Sequence, residues 1–181
     1  MKISTKKITI LALCIAMNMV GSWIGLVIKL PVYLDSIGTV MAGFCFGPVF
    51  GILAGVITAL VNTISDPVAL YFMPTQIIVG FTAGYFKFLK RDDFLSKFYL
   101  TPAMSIPAAI SSALIATYLF GTVTTAGSSY IVQALRAIMD ISDFVIVLGV
   151  QIITDYLDKL LSIILVSKIY NMNAFKNILN K

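Results

Sequence analysis

Three charged residues in the last third of the chain stand close together in an apolar run. Asp155, Asp158 and Lys159 lie between Ile152-Ile153 and Leu160-Leu161. On a helix, the two aspartates share a face at three-residue spacing, and Asp155 with Lys159 forms an acid-before-base pair at four-residue spacing. Ionisable groups in apolar surroundings need a polar partner. The pattern fits two interpretations: a self-satisfied ion pair that orients the helix, or a binding site for a polar solute.

A second set of polar residues lies near the ends of apolar segments, on what we expect to be one side of the molecule. Asp35 and Asp66 each fit either a ligand-binding role or a helix cap. Asp35 stands at the start of a predicted helix, and Asp66 precedes a proline. Arg136 is four residues before Asp140, so an ordinary helical ion pair is also consistent with it. The candidate solute-binding residues of this set are Asp35, Asn62, Asp66, Tyr71, Gln76 and Arg136.

Several classes of chemistry are excluded by residues that the chain lacks. It has no histidine, and Cys14 and Cys45 each stand alone in an apolar stretch, so no zinc site can be assembled. No glycine is followed by lysine, which excludes a phosphate-binding P-loop. An intramembrane enzyme would have only an aspartate pair to work with, and no supporting motif surrounds it. We therefore expect no catalytic residue, no metal and no cofactor.

The composition indicates what kind of elements position these residues. Of the 181 residues, 59% are hydrophobic and 12% are charged, about half the charged fraction of a soluble domain. The mean hydropathy is +0.98. Asp66 is the only charged residue between Ser36 and Phe86. Such runs are typical of membrane-spanning helices, each of which takes about 20 residues.

The chain is predicted to be an all-α polytopic membrane protein with six spans in a single integral membrane domain covering residues 1–181. We place the spans at about 8–28, 35–46, 49–65, 70–89, 98–120 and 142–169, with a lid helix at 130–140. Basic residues are concentrated at both termini and in the connector that contains Lys90 and Arg91. The positive-inside rule therefore puts both termini in the cytoplasm. The net charge of +5 indicates orientation in the membrane and no nucleic-acid binding.

Small residues recur at four-residue spacing, which is typical of closely packed membrane helices. One series is Gly43, Gly47, Gly51 and Gly55, and another is Gly80 and Gly84. We expect these to pack inside the bundle. Ala12 and Ala16 on the first helix fit either internal packing or contact with another membrane protein.

Three segments give the chain a resemblance to the substrate-binding S components of energy-coupling factor (ECF) transporters, the bacterial vitamin-uptake family. The first is Ala12-Leu13-Cys14-Ile15-Ala16, similar to the family's AxxxA docking motif. The others are Leu34-Asp35-Ser36-Ile37-Gly38-Thr39, followed by Phe46-Gly47-Pro48, and Asp158-Lys159-Leu160-Leu161-Ser162. The resemblance covers essentially the whole chain. It departs from the biotin type, in which the aspartate and lysine are three residues apart.

The resemblance implies a multi-pass protein of the bacterial plasma membrane that captures a vitamin or nucleobase-like heterocycle on its outer face. It implies docking through Ala12 and Ala16 on a transmembrane coupling subunit that works with two ATPases, and it makes Asp158 and Lys159 pocket candidates. The alternative is a solitary proton-coupled secondary carrier of a small polar solute, with Asp155 and Asp158 as proton-relay groups. Many such carriers contain inverted repeats, and we find none here.

Overall fold

The computed structural model describes residues 4–86, 97–98, 101–173 and 175–176. Their elements are helices: α1 (Thr5–Ile28), α2 (Ile37–Phe46), α3 (Pro48–Asn62), a 3₁₀ helix (Pro67–Leu70), α4 (Met73–Phe86), α5 (Pro102–Tyr118), α6 (Ser128–Arg136) and α7 (Asp143–Asn171). No strand occurs in these ranges, which confirms the all-α prediction for the described part of the chain.

The helices follow the six predicted spans, with boundaries that differ where turn residues end a helix early. The third helix stops at Asn62, before a turn that leads to Pro67. The fourth begins at Met73, because the 3₁₀ helix occupies the residues where we expected its first turn. The predicted lid helix is present but shorter, at Ser128–Arg136. Predicted span residues 87–89 and most of the basic connector lie outside the described residues.

Length and composition single out α1 among the described helices as able to cross a membrane. Three further apolar helices, α2, α3 and α5, are shorter, at 10–17 residues. The count of six spans and the cytoplasmic position of the termini therefore stay predictions.

The distribution of polar and apolar side chains is inverted relative to a soluble protein. Large apolar side chains such as Leu13, Trp23 and Val27 of α1 are more than half exposed. Polar side chains such as Asn18 and Asp158 are completely buried. An apolar exterior around a polar interior suits a molecule surrounded by hydrocarbon, where buried polar groups must satisfy one another.

Glycines bring α3 and α4 into direct backbone contact. A Cβ atom added at Gly51 would overlap the backbone of Gly80, and one added at Gly80 would overlap Gly51. The same pair of helices meets again between Gly55 and Gln76. Because helices in lipid associate largely through close packing, these contacts confirm the internal packing of Gly51, Gly55 and Gly80. Gly47 does not share it, since a Cβ atom there would meet no heavy atom within 4 Å.

The core has two parts that hold the helices around a polar centre. One joins α1, α2, α4, α5 and α7 through residues that include Cys14, Val40, Met104 and Ile163. The other joins α5, α6 and α7 through Ala113, Val132 and Val147. The end of the bundle at which α1 and α3 terminate and α4 begins is covered by loops, and the candidate site lies beneath them.

Candidate solute-binding site

A cavity lies at this loop-covered end, between α1, α3, α4 and two loops. We call these the α1–α2 loop (residues 29–36) and the α5–α6 loop (residues 119–127). The space enclosed within it is only about 40 Å³, well below the volume of small-molecule sites, so the loops hold the cavity nearly closed in this arrangement. Its polar lining consists of Ser22, Asp35, Thr58, Asn62, Asp66, Gln76, Thr124 and Thr125. Of the sequence-predicted site residues, Asp35, Asn62, Asp66 and Gln76 are thus brought together on one wall.

Asn62 is the lining residue whose side chain has polar capacity left over. It is only 7% exposed, and it lies on the cavity wall at the end of α3. Within the described ranges no hydrogen bond reaches its carboxamide. Its amide atoms are not among the fully enclosed side-chain atoms that lack a partner, so they are reached from the cavity. Its donor and acceptor are therefore available to a molecule in the cavity.

Asp35 lies in the α1–α2 loop and is held by α4. Gln76 donates from Nε2 to Asp35 Oδ2 at 2.7 Å, and Thr39 donates to Gln76 Oε1 at 3.4 Å. The carboxylate is not a cap of α2, since Ser36 occupies the N-cap position. Burial is the largest cause that raises the pKa of Asp35, to about 6, and Lys159 partly offsets it by favouring the charged form.

Asp66 connects the mouth of the cavity to the α5–α6 loop. Its Oδ1 accepts a hydrogen bond from the backbone N–H of Val68, which makes it the N-cap of the 3₁₀ helix. The capping interpretation is therefore correct. Its Oδ2 also accepts a 2.6 Å bond from the hydroxyl of Thr125, so the same carboxylate links two loops across the mouth.

Sequence reasoning missed a buried polar centre next to the cavity. Asn18 of α1 donates from Nδ2 to the hydroxyls of Thr39 and Thr58 at 2.8 and 2.9 Å. Its Oδ1 accepts the backbone N–H of Gly38 at 2.6 Å. One side chain thus joins α1, α2 and α3, and Thr58 itself lines the cavity. The available signal was the position of Asn18 on the same helical stripe as Cys14, Gly21 and Gly25, all of which are buried.

The charged group of α7 lies behind the cavity and is satisfied internally. Lys159 Nζ is 2.7 Å from Asp158 Oδ2 and 3.3 Å from Asp155 Oδ1. Ser112 of α5 donates to Asp155 Oδ2 at 3.0 Å. All three charged residues are at most 3% exposed, and they are not among the residues that line the cavity. The structure thus shows the ion pairs that one of the two sequence interpretations expected.

Asp158 also fixes the α1–α2 loop to α7. The backbone N–H of Leu34 donates to Asp158 Oδ1 at 2.8 Å, and the hydroxyl of Ser36 donates to Asp158 Oδ2 at 2.9 Å. Leu34 has a left-handed φ of 55°, which an L-residue adopts only where its surroundings hold it. On its other side the loop lies against α1 at Gly21, where a Cβ atom would overlap the backbone of Leu34. The cluster therefore positions the loop that carries Asp35.

Tyr33, between these anchors, places its ring on the cavity wall and its hydroxyl in the interior. The ring centroid lies 6.5 Å from that of Phe72, which also lines the cavity. The hydroxyl is buried and forms no hydrogen bond with the described residues, although the side chains of Ser128 and Gln151 are close to it. Burial raises the pKa of Tyr33 to about 12.

Two further predicted site residues, besides the three charged residues of α7, lie outside the cavity wall. Tyr71 is half exposed and packs edge-to-face on Phe120. Arg136 pairs with Asp143 at 2.8 Å and donates to the hydroxyl of Thr122. The expected pairing of Arg136 with Asp140 is wrong, because α6 ends at Arg136 and Asp140 is no longer on the helix.

Within the described ranges, no three Cys, Asp or Glu side chains form a group that could hold a metal ion.

These features define a helical protein with a small, loop-covered polar cavity at one end. The family model described as "ECF transporter, substrate-specific component" matches residues 6–172. The chain belongs to this family, and is therefore a substrate-binding transport protein of the membrane. No curated protein and no solved structure matches the chain significantly.

Proposed function

We propose that the chain is the solute-capturing subunit of an ECF-type ABC importer in the bacterial plasma membrane. It crosses the membrane six times with both termini in the cytoplasm. It takes a vitamin or related heterocyclic micronutrient from the outer side, and it delivers this solute by docking on a coupling subunit with two ATPases. The chain itself is not an enzyme. The observation that carries the proposal is the carboxamide of Asn62, which has no hydrogen bond among the described residues and faces a loop-covered cavity in a chain of this family.

Asp35, Asn62, Asp66 and Gln76 contact the solute in this proposal. The buried group Asp155, Asp158 and Lys159 acts through the α1–α2 loop, because Asp158 holds the backbone of Leu34. Its members are positioning residues in the closed arrangement described here. Asp155, Asp158 and Lys159 contact the solute directly only where the α1–α2 loop moves away from α7.

The docking part of the proposal is supported by the exposure of Ala12 and Ala16. Both lie on the outward face of α1, opposite the buried stripe of Cys14 and Asn18. Internal packing therefore does not use them within the described bundle. Small residues on an exposed face allow a second helix to approach closely.

The test is co-purification with the coupling subunit and its two ATPases. We expect Ala12→Trp and Ala16→Trp to abolish complex formation, because the indole ring occupies the space that the partner helix needs. The matched control is Ala103→Trp, at another exposed alanine, on α5. Complexes that form equally with all three variants would remove this face from docking. Uptake by the chain alone in proteoliposomes would instead favour the solitary carrier.

A further inference from the structure

The walls of the cavity carry negative charge and no positive charge. Asp35 and Asp66 both line it, and the residues known to line it include no lysine or arginine. Lys29, at the end of α1, is exposed and lies outside this lining. The cation that acts on Asp35 is Lys159, which is shared with Asp155 and Asp158, so a bound solute meets an excess of negative charge.

The nearby basic side chains are already engaged. Lys159 is paired with two carboxylates, those of Asp155 and Asp158. Arg136 is paired with Asp143. Neither is available to bind a carboxylate or phosphate of a solute without giving up an existing ion pair. An anionic solute would thus add uncompensated negative charge to a site that already has an excess of it.

Asp35 has capacity for one more partner. Gln76 bonds one carboxylate oxygen at 2.7 Å, and the other oxygen, Oδ1, has no hydrogen-bond partner among the described residues. A carboxylate that is taken out of water is stabilised by a cation or by further N–H donors. Asn62 lines the same cavity and offers an amide that has no hydrogen bond among the described residues.

The aromatic part of the wall suits a flat ring, which enters only where the covering loops move apart, because the enclosed space is about 40 Å³. Tyr33 and Phe72 both line the cavity. The faces of aromatic rings attract cations, with the strongest effect where water is excluded. The aromatic and the acidic groups of the wall therefore both favour a positively charged solute.

We propose that the solute of this cavity is an aromatic or heteroaromatic ring that carries a positively charged amine or amidine-type group, bound by Asp35 with Asn62 beside it. The proposal rests on the proposed function, since it names the class of solute for the same site. It separates this chain from a receptor for acidic vitamins, whose carboxylates would need a free cation in the wall.

The test compares probes that share a ring and differ in charge. One set is benzamidine, benzamide and benzoate. A second is pyridoxamine, pyridoxine and 4-pyridoxate. Binding to the purified full chain in detergent is measured by calorimetry and by the shift in melting temperature, because a ligand bound to the native state alone stabilises it. We expect the cationic member of at least one set to bind about tenfold more tightly than its neutral analogue, the size of effect that one charge-assisted hydrogen bond gives.

Variants assign the effect to the cavity. Asp35→Asn, in which the amide oxygen still accepts from Gln76, should remove the preference for the cation. Asn62→Ala should weaken every member of the set that binds and leave the order of affinities unchanged. Asp140→Asn, at an exposed carboxylate away from the cavity, should change nothing. Each variant is first checked for a monodisperse peak in size-exclusion chromatography. If Asp35→Asn does not give such a peak, Asn62→Ala is used to assign binding to the cavity.

A neutral or anionic member that binds most tightly would overturn the inference, as would a cation preference that survives in Asp35→Asn. Failure of every probe to bind at millimolar concentration would overturn it as well. None of these results affects docking, so co-purification with the coupling subunit decides separately whether the proposed function holds.

Discussion

Asn18 and Asn62 show how the same residue type serves two purposes in one bundle. Asn18 is completely buried, and both ends of its carboxamide are bonded, to Thr39, Thr58 and the backbone of Gly38. Asn62 is almost as deeply buried, but its carboxamide has no hydrogen bond in the described part of the chain and is reached from the cavity. A fully bonded amide stabilises the fold, whereas an unbonded one at a cavity can bind a ligand. The first therefore belongs to the scaffold and the second to the site.

Asn18→Leu should destabilise the protein strongly. The substitution keeps the volume similar but leaves the N–H of Gly38 and two hydroxyls without their partner, at a cost of about 2–4 kcal/mol in the free energy of unfolding. Thermal or denaturant unfolding in detergent measures the loss. Met19→Leu, at an exposed position on the same helix, is the control. A variant as stable as wild type would show that the buried bonds contribute nothing.

Asp35 predicts a specific dependence of stability on pH. Its pKa is about 6 in the folded protein, above the value of 3.8 for a free aspartate. The folded state therefore binds the proton more tightly, and stability rises as the pH falls through 6, with the gain complete below about 4. The charged groups that act on Asp35 are Lys159, Asp158 and Asp155.

The measurement is the melting temperature of the ligand-free protein between pH 7 and pH 5, for wild type and for Asp35→Asn. Groups common to both proteins cancel in the difference. We expect wild type to gain stability relative to the variant as the pH is lowered. Parallel curves for the two proteins would show that Asp35 titrates normally.

At the scale of elements, the positions of helices were predictable and their contacts only partly so. The sequence marks a helix end well at the Gly47-Pro48 pair, because these residues interrupt helical hydrogen bonding. Pro67 marks the end of α3 less well, because that helix already stops at Asn62. The glycine series correctly indicated close packing, but it did not say that α3 and α4 are the partners. The contact of Asp158 with Leu34 joins residues 124 positions apart, and a helical pattern contains no information about such a pair.

The α3–α4 contact should tolerate no added methyl group. We expect Gly80→Ala to lower the free energy of unfolding by about 1–3 kcal/mol, because the new Cβ atom overlaps the backbone at Gly51. Gly149→Ala is the matched control, since a Cβ atom there meets no heavy atom within 4 Å. It should be neutral or stabilising by up to about 1 kcal/mol, because alanine is the better helix former. Equal stability of the two variants would argue against direct backbone contact.

At the scale of the whole molecule, an apolar exterior surrounds polar groups most of which satisfy one another or face the cavity, the hydroxyls of Tyr33 and Thr117 being exceptions among the described residues. Composition predicted this class of molecule, since so few charges leave the chain no soluble surface. The sequence also predicted four residues of the cavity wall, because isolated polar residues near helix ends are conspicuous in so apolar a chain. It could not separate them from Asp155, Asp158 and Lys159, because only the three-dimensional structure shows which charges neutralise one another.

The most direct test of the central claim is to identify by mass spectrometry the small molecule that co-purifies with the full chain in mild detergent. The account predicts one heterocyclic compound retained by wild type and by Asp140→Asn. The same compound should be lost from Asn62→Ala and from Asp35→Asn, because these side chains form the wall that holds it. Equal retention by all four proteins, or a wild type that retains and binds no heterocycle, would contradict the assignment of this cavity as the solute site.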